Sequence, residues 1–208
     1  MPAFLTDMNP GWLLILAGLV AVFLKIRLLR QAITIAAPLA AILLLATAQH
    51  GVDHLTYNAL GIELSLYRVD SLNFIFGFAF LIASLLNAIY ALHTDNRMQD
   101  GVALAYAGAA VSATFAGDLM TLFIFWEITA ISSVFLILQA GTRAAYFASM
   151  RYLAVQILSG VLLLDGIAYV WHYTGSLSLE AFTSLDQPGA LIIFIAFGIK
   201  AAFPFLHN

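Results

Sequence analysis

Seven apolar segments follow one another along this chain, and their lengths constrain its fold more than any other feature. A helix needs about 20 apolar residues to cross the ~30 Å hydrocarbon core of a bilayer. The sequence therefore predicts an all-α integral membrane protein of about seven transmembrane helices, forming a single transmembrane domain over residues 1–208. The segments lie near 10–28, 31–48, 70–92, 101–116, 118–139, 152–171 and 188–207.

Composition excludes several classes of protein. Hydrophobic residues make up 63% of the chain and charged residues only 9%, whereas soluble proteins carry about 25% charged residues. The net charge of −3 and the lack of a basic block argue against nucleic acid binding. With no cysteine, disulfides and thiolate-bound metals or clusters are excluded. We expect no metal and no cofactor, because haem would need histidines facing one another within the bundle. The five histidines lie in loops or at helix ends: His50, His54, His93, His172 and His207.

The basic residues predict the orientation of the chain. Cytoplasmic loops carry an excess of Lys and Arg, and this excess places the N-terminus outside. Because no basic stretch precedes the first apolar segment, we expect that segment to be retained as a helix rather than cleaved as a signal peptide. Six of the eight basic residues fall on the inner side: Lys25, Arg27, Arg30, Arg97, Arg143 and Arg151.

The loop over 50–69 lies on the outer side. Its alternating apolar residues predict a small β-hairpin.

Two ionisable residues lie within the apolar segments. Glu127 occurs in LMTLFIFWEITAISSVFLIL, ~13 Å from the outer end of the fifth predicted helix, and Lys200 occurs in ALIIFIAFGIKAAFPFLHN, ~18 Å from the outer end of the seventh. A charge at this depth costs at least ~2.5–3.5 kcal/mol, so such residues are usually paired or functional. Because an opposite charge stabilises each ionised form, a Glu127–Lys200 pair responds to a proton added to either member. The alternative is a static salt bridge that locks two helices together.

Other residues of the same helices extend this interpretation. Pro204 lacks a backbone N–H and predicts that the seventh helix is broken between Lys200 and Pro204, and the freed carbonyls of such helices commonly bind ions. Asp165 is a third intramembrane acid, which either extends a path outward from Glu127 or reaches interfacial water. His207 either relays protons at the inner end of the seventh helix or lies at the surface.

The segments that carry these residues resemble a known family. The stretch GDLMTLFIFWEITAISSVFLIL, followed by RYLAVQILSGVLLLDGIAYV and FGIKAAFPFLHN, is similar to the antiporter-like membrane subunits of Mrp-type sodium/proton antiporters, respiratory complex I and membrane-bound hydrogenases. The likeness is greatest to the D-type subunits of the Mrp antiporters. It covers residues 100–208, and the earlier residues agree only in hydropathy and topology.

The resemblance implies a site and a function. In this family the acid that follows Trp on the fifth helix and the lysine of the seventh helix form a central pair in a proton-translocating half-channel, and these correspond to Glu127 and Lys200. The implied function is proton, or sodium/proton, translocation, with Asp165 and His207 as further candidates for the path. The chain would then be an ion translocator, rather than an enzyme with its own chemistry, in a bacterial cytoplasmic membrane.

The family's subunits contain about twice as many helices, arranged as two inverted repeats. The resemblance implies that this chain corresponds to the first part of such a subunit, and we expect the second half to be absent from it. The resemblance implies that its partners are other membrane subunits of a multisubunit antiporter or respiratory complex.

Two other classes of function are open. A seven-helix retinal protein also has an outer N-terminus and a lysine on its last helix, but the third segment, 70–92, offers no internal acid as a counter-ion. The second class is a structural membrane subunit or truncated fragment, with a static Glu127–Lys200 pair and no transport of its own.

Overall fold

Helices form nearly all of the fold, with one small β-hairpin. The computed structural model describes residues 8–59, 61–179 and 182–203. Within these ranges it contains seven α-helices, two strands and a 3₁₀ turn over Ala91–His93. The elements in chain order are α1 (Pro10–Phe23), α2 (Arg27–Ala46), β1 (Val52–Ala59), β2 (Ile62–Val69), α3 (Ser71–Tyr90), α4 (Arg97–Thr114), α5 (Leu119–Leu138), α6 (Arg143–Thr174) and α7 (Ala190–Lys200).

Several of these helices have the length and composition of membrane spans. Within the described ranges four are long and apolar enough to cross a membrane: Arg27–Ala46, Ser71–His93, Leu119–Leu138 and Arg143–Thr174. α1 and α7 are apolar but shorter. The prediction of a mostly helical membrane protein is confirmed, whereas the count of seven membrane-spanning helices stays a prediction.

The sixth helix is much longer than its predicted segment, 152–171. α6 spans 32 residues. It begins at Arg143 because the Thr142 hydroxyl accepts a hydrogen bond from the N–H of Ala145 and caps the helix. It ends where Gly175 adopts a left-handed conformation, with φ 65°. Both signals are polar or conformational, so the apolar pattern did not predict these ends.

The seventh helix is shorter than its predicted segment, 188–207, because α7 ends at Lys200. Ala202 adopts a left-handed conformation, with φ 53°. The N–H groups of Ala202 and Phe203 donate to the carbonyls of Ile199 and Gly198, at 3.1 and 2.9 Å. This pair of hydrogen bonds is the Schellman pattern that terminates helices. The helix therefore stops at the point where a break was predicted, while Pro204 itself lies outside the described residues.

Hydrogen bonds between turns show that the helices alternate in direction. The Arg27 Nη2 donates to the Leu92 carbonyl at 3.0 Å, and the Asn96 amide donates to Gln139 Oε1 at 3.0 Å. These bonds bring the α1–α2, α3–α4 and α5–α6 turns to one end of the bundle. We call it the basic end, because it carries Lys25, Arg27, Arg30, Arg97, Arg143 and Arg151.

A buried ion-pair network lies at the basic end. Arg30 was counted with the loop charges, but its side chain is only 1% exposed. Its Nε donates to Asp100 at 2.7 Å, and its Nη2 pairs with Asp95. Its Nη1 donates to the Leu24 carbonyl at 3.4 Å. The guanidinium therefore joins α2 to α4 and to the turns before both helices.

At the opposite end lies the predicted hairpin. β1 and β2 pair antiparallel, from Val52 opposite Val69 to Ala59 opposite Ile62, which confirms the hairpin expected over 50–69. Val69 is fully buried. The hairpin therefore closes this end of the α1–α4 bundle rather than standing free of it. The hydrophobic cluster beneath it contains Leu14, Ala41, Leu45, Tyr67, Val69, Leu81, Leu104, Val111 and Phe115.

Asp118 holds the hairpin, α5 and the α6–α7 connection together. Its carboxylate accepts hydrogen bonds from the N–H and hydroxyl of Thr121 and from the N–H of Ser65, at 2.6 to 2.8 Å. The first two bonds cap α5 and the third fixes β2. The N–H of Leu119 donates to the Leu177 carbonyl at 2.8 Å. The start of α5, and with it the depth of Glu127, is set by this cluster.

α1 and α4 pack with their backbones almost in contact. A Cβ on Gly11 would lie 2.3 Å from the Gly108 carbonyl oxygen, and a Cβ on Gly18 would lie 2.5 Å from the Gly101 carbonyl oxygen. The two glycines of α1 are seven residues apart, and so are the two glycines of α4, so each pair lies on one stripe of its own helix. Small residues let membrane helices approach closely, and here they bring the short α1 against α4.

We predict that Asp118→Ala destabilises the protein, because it removes the cap of α5 and leaves the Ser65 N–H without its acceptor. The expected cost is ~1–3 kcal/mol of unfolding free energy, measured by thermal or denaturant unfolding in detergent. Asp186→Ala is the matched control, because that exposed carboxylate accepts one hydrogen bond within its own loop, from Ser184. Equal stability of the two variants would contradict the role given to Asp118.

Candidate functional site

Glu127 lies within α5 and packs against the backbone of α6. A Cβ added to Gly160 would lie 1.9 Å from Glu127 Oε1, so the carboxyl occupies the space that a side chain at this position would need. The Glu127 Oε1 atom is buried and has no hydrogen-bond partner among the residues that the structure describes. A buried carboxyl oxygen without a donor is costly. This cost favours a functional over a structural role for Glu127.

Lys200 is the last residue of α7, and its ammonium group reaches α5. Its Nζ donates to the Trp126 carbonyl at 3.1 Å and lies 4.6 Å from the centroid of the Trp126 ring. The ring face attracts a cation through its quadrupole, and the C-terminal end of a helix attracts one through its dipole. The ammonium is therefore held by uncharged groups, and two of them, a carbonyl and a ring, belong to the residue that precedes Glu127 in the sequence.

Trp126 joins α5 to α7 with both its ring and its carbonyl. The side chain is 6% exposed, and its ring meets that of Phe197 at 4.7 Å in an edge-to-face arrangement. Phe197 precedes Lys200 by three residues, so both lie on the face of α7 that meets α5. The surrounding hydrophobic cluster contains Leu119, Trp126, Leu163, Ile167, Val170, Leu177, Ile193 and Ala196.

The structure brings Glu127 and Lys200 to one site without a direct salt bridge. Among the described residues, ion pairs with an N–O distance within 4.0 Å involve only Arg30, with Asp95 and Asp100. The hydrogen bond from the ammonium goes to the Trp126 carbonyl, which belongs to the residue before Glu127. The two residues are neighbouring charges linked through the backbone of α5.

α6 contributes further polar groups close to Gly160. Ser159 is fully buried on the side that meets α7, and its hydroxyl donates to the Ala196 carbonyl at 3.0 Å. This bond fixes α7 one turn before Lys200. Gln156 precedes Gly160 by four residues and so lies on the same face as that glycine. It is 5% exposed, and its Oε1 is buried without a hydrogen-bond partner among the described residues. Two unpartnered oxygens, from Glu127 and Gln156, thus face the same interface between α5 and α6.

The other predicted site residues lie elsewhere. Asp165 is exposed and follows Gly160 by five residues, which places it about 140° around the α6 axis from that glycine. The structure therefore separates Asp165 from Glu127 and gives no support to a path outward through it. His207 lies outside the described residues.

Gly160, Gln156 and Ser159 were not singled out from the sequence. A polar residue inside an apolar run was the available signal for Gln156 and Ser159, because both interrupt the stretch LAVQILSGVLLL. Gly160 carried no such signal, since its role depends on which residue it faces. Among the described residues, no group of three His, Cys, Asp or Glu side chains comes together as a metal ion would require.

Part of the chain matches a known family. Residues 116–208 match the family described as NADH:quinone oxidoreductase/Mrp antiporter, transmembrane. This part of the chain is similar to that family. The matched residues include Glu127, Gly160 and Lys200, so the resemblance to the antiporter-like subunits is confirmed.

Curated relatives in the antiporter-like family are named as subunits of membrane systems. The D subunit of the Na(+)/H(+) antiporter of Alkalihalophilus pseudofirmus is 32% identical over 102 residues, covering 44% of this chain and 21% of the relative. The D subunit of the Bacillus subtilis Na(+)/H(+) antiporter is 25% identical over 134 residues, covering 57% and 27%. The N subunit of the NADH-quinone oxidoreductase of Deinococcus radiodurans is 24% identical over 158 residues, covering 68% and 32%. The chain thus matches 21 to 32% of the length of these relatives.

A solved structure shares the fold. One chain of the membrane-bound sulfane sulfur reductase, an archaeal respiratory membrane complex, superposes with a TM-score of 0.76 at 20% identity. The superposition covers 95% of this chain and 34% of that one. At this level of identity the likeness concerns the fold alone.

We predict that Gly160→Ala displaces the Glu127 carboxyl without unfolding the protein, because the conflicting atoms end a flexible side chain. Proton flux, the activity implied by the family, is expected to fall about tenfold or more through misplacement of the carboxyl. The measurement is flux through vesicles that contain the whole assembly. In a Glu127→Gln background, Gly160→Ala should cause no further loss, since both changes act on the same carboxyl. Additive losses would contradict this coupling.

Proposed function

We propose that this chain is the first part of a proton-translocating membrane subunit, in which Glu127 gains and loses a proton and Lys200 responds to its charge. The observation that carries the proposal is the half-buried Glu127 carboxyl, whose buried Oε1 has no hydrogen-bond partner among the described residues, near an ammonium that binds the Trp126 carbonyl. The names of the relatives, subunits of a Na(+)/H(+) antiporter and of an NADH-quinone oxidoreductase, support proton or sodium/proton translocation.

The protonation state of Glu127 decides where the Lys200 ammonium binds. Two unit charges 4 Å apart attract by ~4 kcal/mol at an effective dielectric constant of ~20, whereas a hydrogen bond to a charged group contributes ~1.5–3 kcal/mol. An ionised Glu127 therefore draws the ammonium away from Trp126. A protonated Glu127 leaves the Trp126 carbonyl as the better acceptor, which is the arrangement in this structure.

A membrane potential acts mainly on the proton that passes through the site. Moving one elementary charge across 100 mV changes the free energy by ~2.3 kcal/mol. The ammonium moves only between neighbouring groups within the membrane, so only a small part of this value acts on it. Each passage would take up one proton at Glu127 and release one, while Lys200 moves between the carboxylate and the Trp126 carbonyl.

We further propose that all seven helices span the membrane, with the basic end in the cytoplasm. The excess of Lys and Arg at that end supports this orientation. α1 and α7 contain only 14 and 11 residues, but α1 packs closely on α4. α7 ends beside a charged site, as the broken helices of membrane transporters do.

The proposed partners are other membrane subunits of an antiporter or respiratory complex, and the proposed location is a bacterial inner membrane. The relatives are named as subunits, and several come from bacteria. The unpartnered carboxyl and the short α7 fit a chain that works within a larger assembly.

The test is proton flux in inverted vesicles that contain the whole assembly. Glu127→Gln and Lys200→Ala should each lower the flux ~100-fold or more, because a proton-transfer group contributes on this scale. Glu63→Gln is the matched control, since this acid is exposed on the hairpin and should leave flux unchanged. If Glu127→Gln assembles normally and keeps wild-type flux, the chain is a structural subunit and the proposal is wrong.

A further inference from the structure

A row of polar groups runs along the α5–α6 interface from Glu127 toward the basic end. The two helices are antiparallel, so residues that follow Glu127 in α5 face residues that precede Gly160 in α6. The hydroxyls of Ser133 and Tyr152 are hydrogen-bonded across this interface at 3.0 Å. Gln156 lies four residues from both Tyr152 and Gly160, so each step along the row is one helical turn, ~6 Å.

Gln156 is the central member of this row. Its side chain is 5% exposed, yet its Oε1 has no hydrogen-bond partner within the part of the chain that the structure describes. In lipid such a group is costly unless something else satisfies it. A primary amide can serve both states of a neighbouring carboxyl, because its oxygen accepts from the protonated form and its NH₂ donates to the carboxylate. A hydrophobic side chain of similar size would do neither.

The Tyr152–Ser133 hydroxyl pair forms the part of the row nearest the basic end. A hydroxyl both donates and accepts, so it can pass a proton on. Ser133 is buried, and its Oγ also lies 2.7 Å from the Ala130 carbonyl. Tyr152 is partly exposed, and the adjacent Arg151 is exposed. The row therefore begins at a carboxyl with a buried oxygen and ends at a partly exposed position toward the basic end.

We propose that Tyr152, Ser133 and Gln156 connect Glu127 to the basic end as a proton path. The inference rests on the proposed function and adds the side from which Glu127 exchanges its proton. Gln156 is a positioning residue, which orients the carboxyl and binds the water that bridges one helical turn. Each hydroxyl gives one proton to the next group and takes one from the previous group, so the path is unchanged after every passage.

The test measures proton flux and its solvent isotope effect in H₂O and D₂O, in vesicles with the whole assembly. Gln156→Leu removes the amide at similar volume, and Tyr152→Phe removes one hydroxyl. Each should lower flux about tenfold, the effect of losing one hydrogen bond in the rate-limiting step. Each should also raise the isotope effect, because proton transfer becomes limiting. Tyr169→Phe is the matched control, since Tyr169 is 47% exposed on the same helix, and it should change neither quantity.

The outcomes separate the path from the function it serves. Recovery of flux and isotope effect in Gln156→Glu, whose carboxyl also donates and accepts, would support the path. If Gln156→Leu only reduces the amount of assembly and leaves the isotope effect unchanged, its role is packing and the path is wrong. If Glu127→Gln abolishes flux while Gln156→Leu and Tyr152→Phe behave as wild type, the path is wrong and the proposed function stands. Unchanged flux in Glu127→Gln would reject the function itself, and the path with it.

Discussion

One carboxyl with a buried oxygen lies where α5 meets α6, next to α7. In lipid, polar groups must be satisfied within the protein, and Glu127 fits only because Gly160 has no Cβ. The adjacent residue of α6, Ser159, binds the Ala196 carbonyl and so fixes α7. α7 then stops where its last residue, Lys200, reaches the Trp126 carbonyl. The contacts that pack the three helices are thus the contacts that build the site.

Two charged clusters among the described residues differ in how well their polar atoms are satisfied. Arg30 donates to Asp100, Asp95 and a backbone carbonyl, so its charge is neutralised and its geometry fixed. Removing one member of such a pair is strongly destabilising, which makes this cluster structural. Glu127 has an oxygen without a donor, and Lys200 uses a carbonyl as acceptor. Only this second cluster leaves a charge free to change partners, and it is the one in the family-matched residues.

Much of the fold and the centre of the site could be predicted from the sequence. Long apolar runs fix where helices exist, and a charge inside such a run identifies Glu127 and Lys200. The helix ends were harder, because Thr142 and Ala202 act through a cap and a left-handed turn rather than through hydropathy. Lys200 donates to a backbone carbonyl. Every residue has such a carbonyl, so the sequence does not indicate which one accepts the hydrogen bond. Arg30 looked like a loop charge because its partners, Asp95 and Asp100, lie far away in sequence.

The central claim is that the Glu127 carboxyl changes its protonation state inside the bundle. The most direct test is an infrared difference spectrum of the whole assembly, recorded as pH is changed, in the region of protonated carboxyl stretching. The wild type should show a carboxyl band that appears and disappears with pH, and Glu127→Gln should lack that band. A spectrum that is identical in the two proteins would show that Glu127 keeps one protonation state, and a translocating role for it would be excluded.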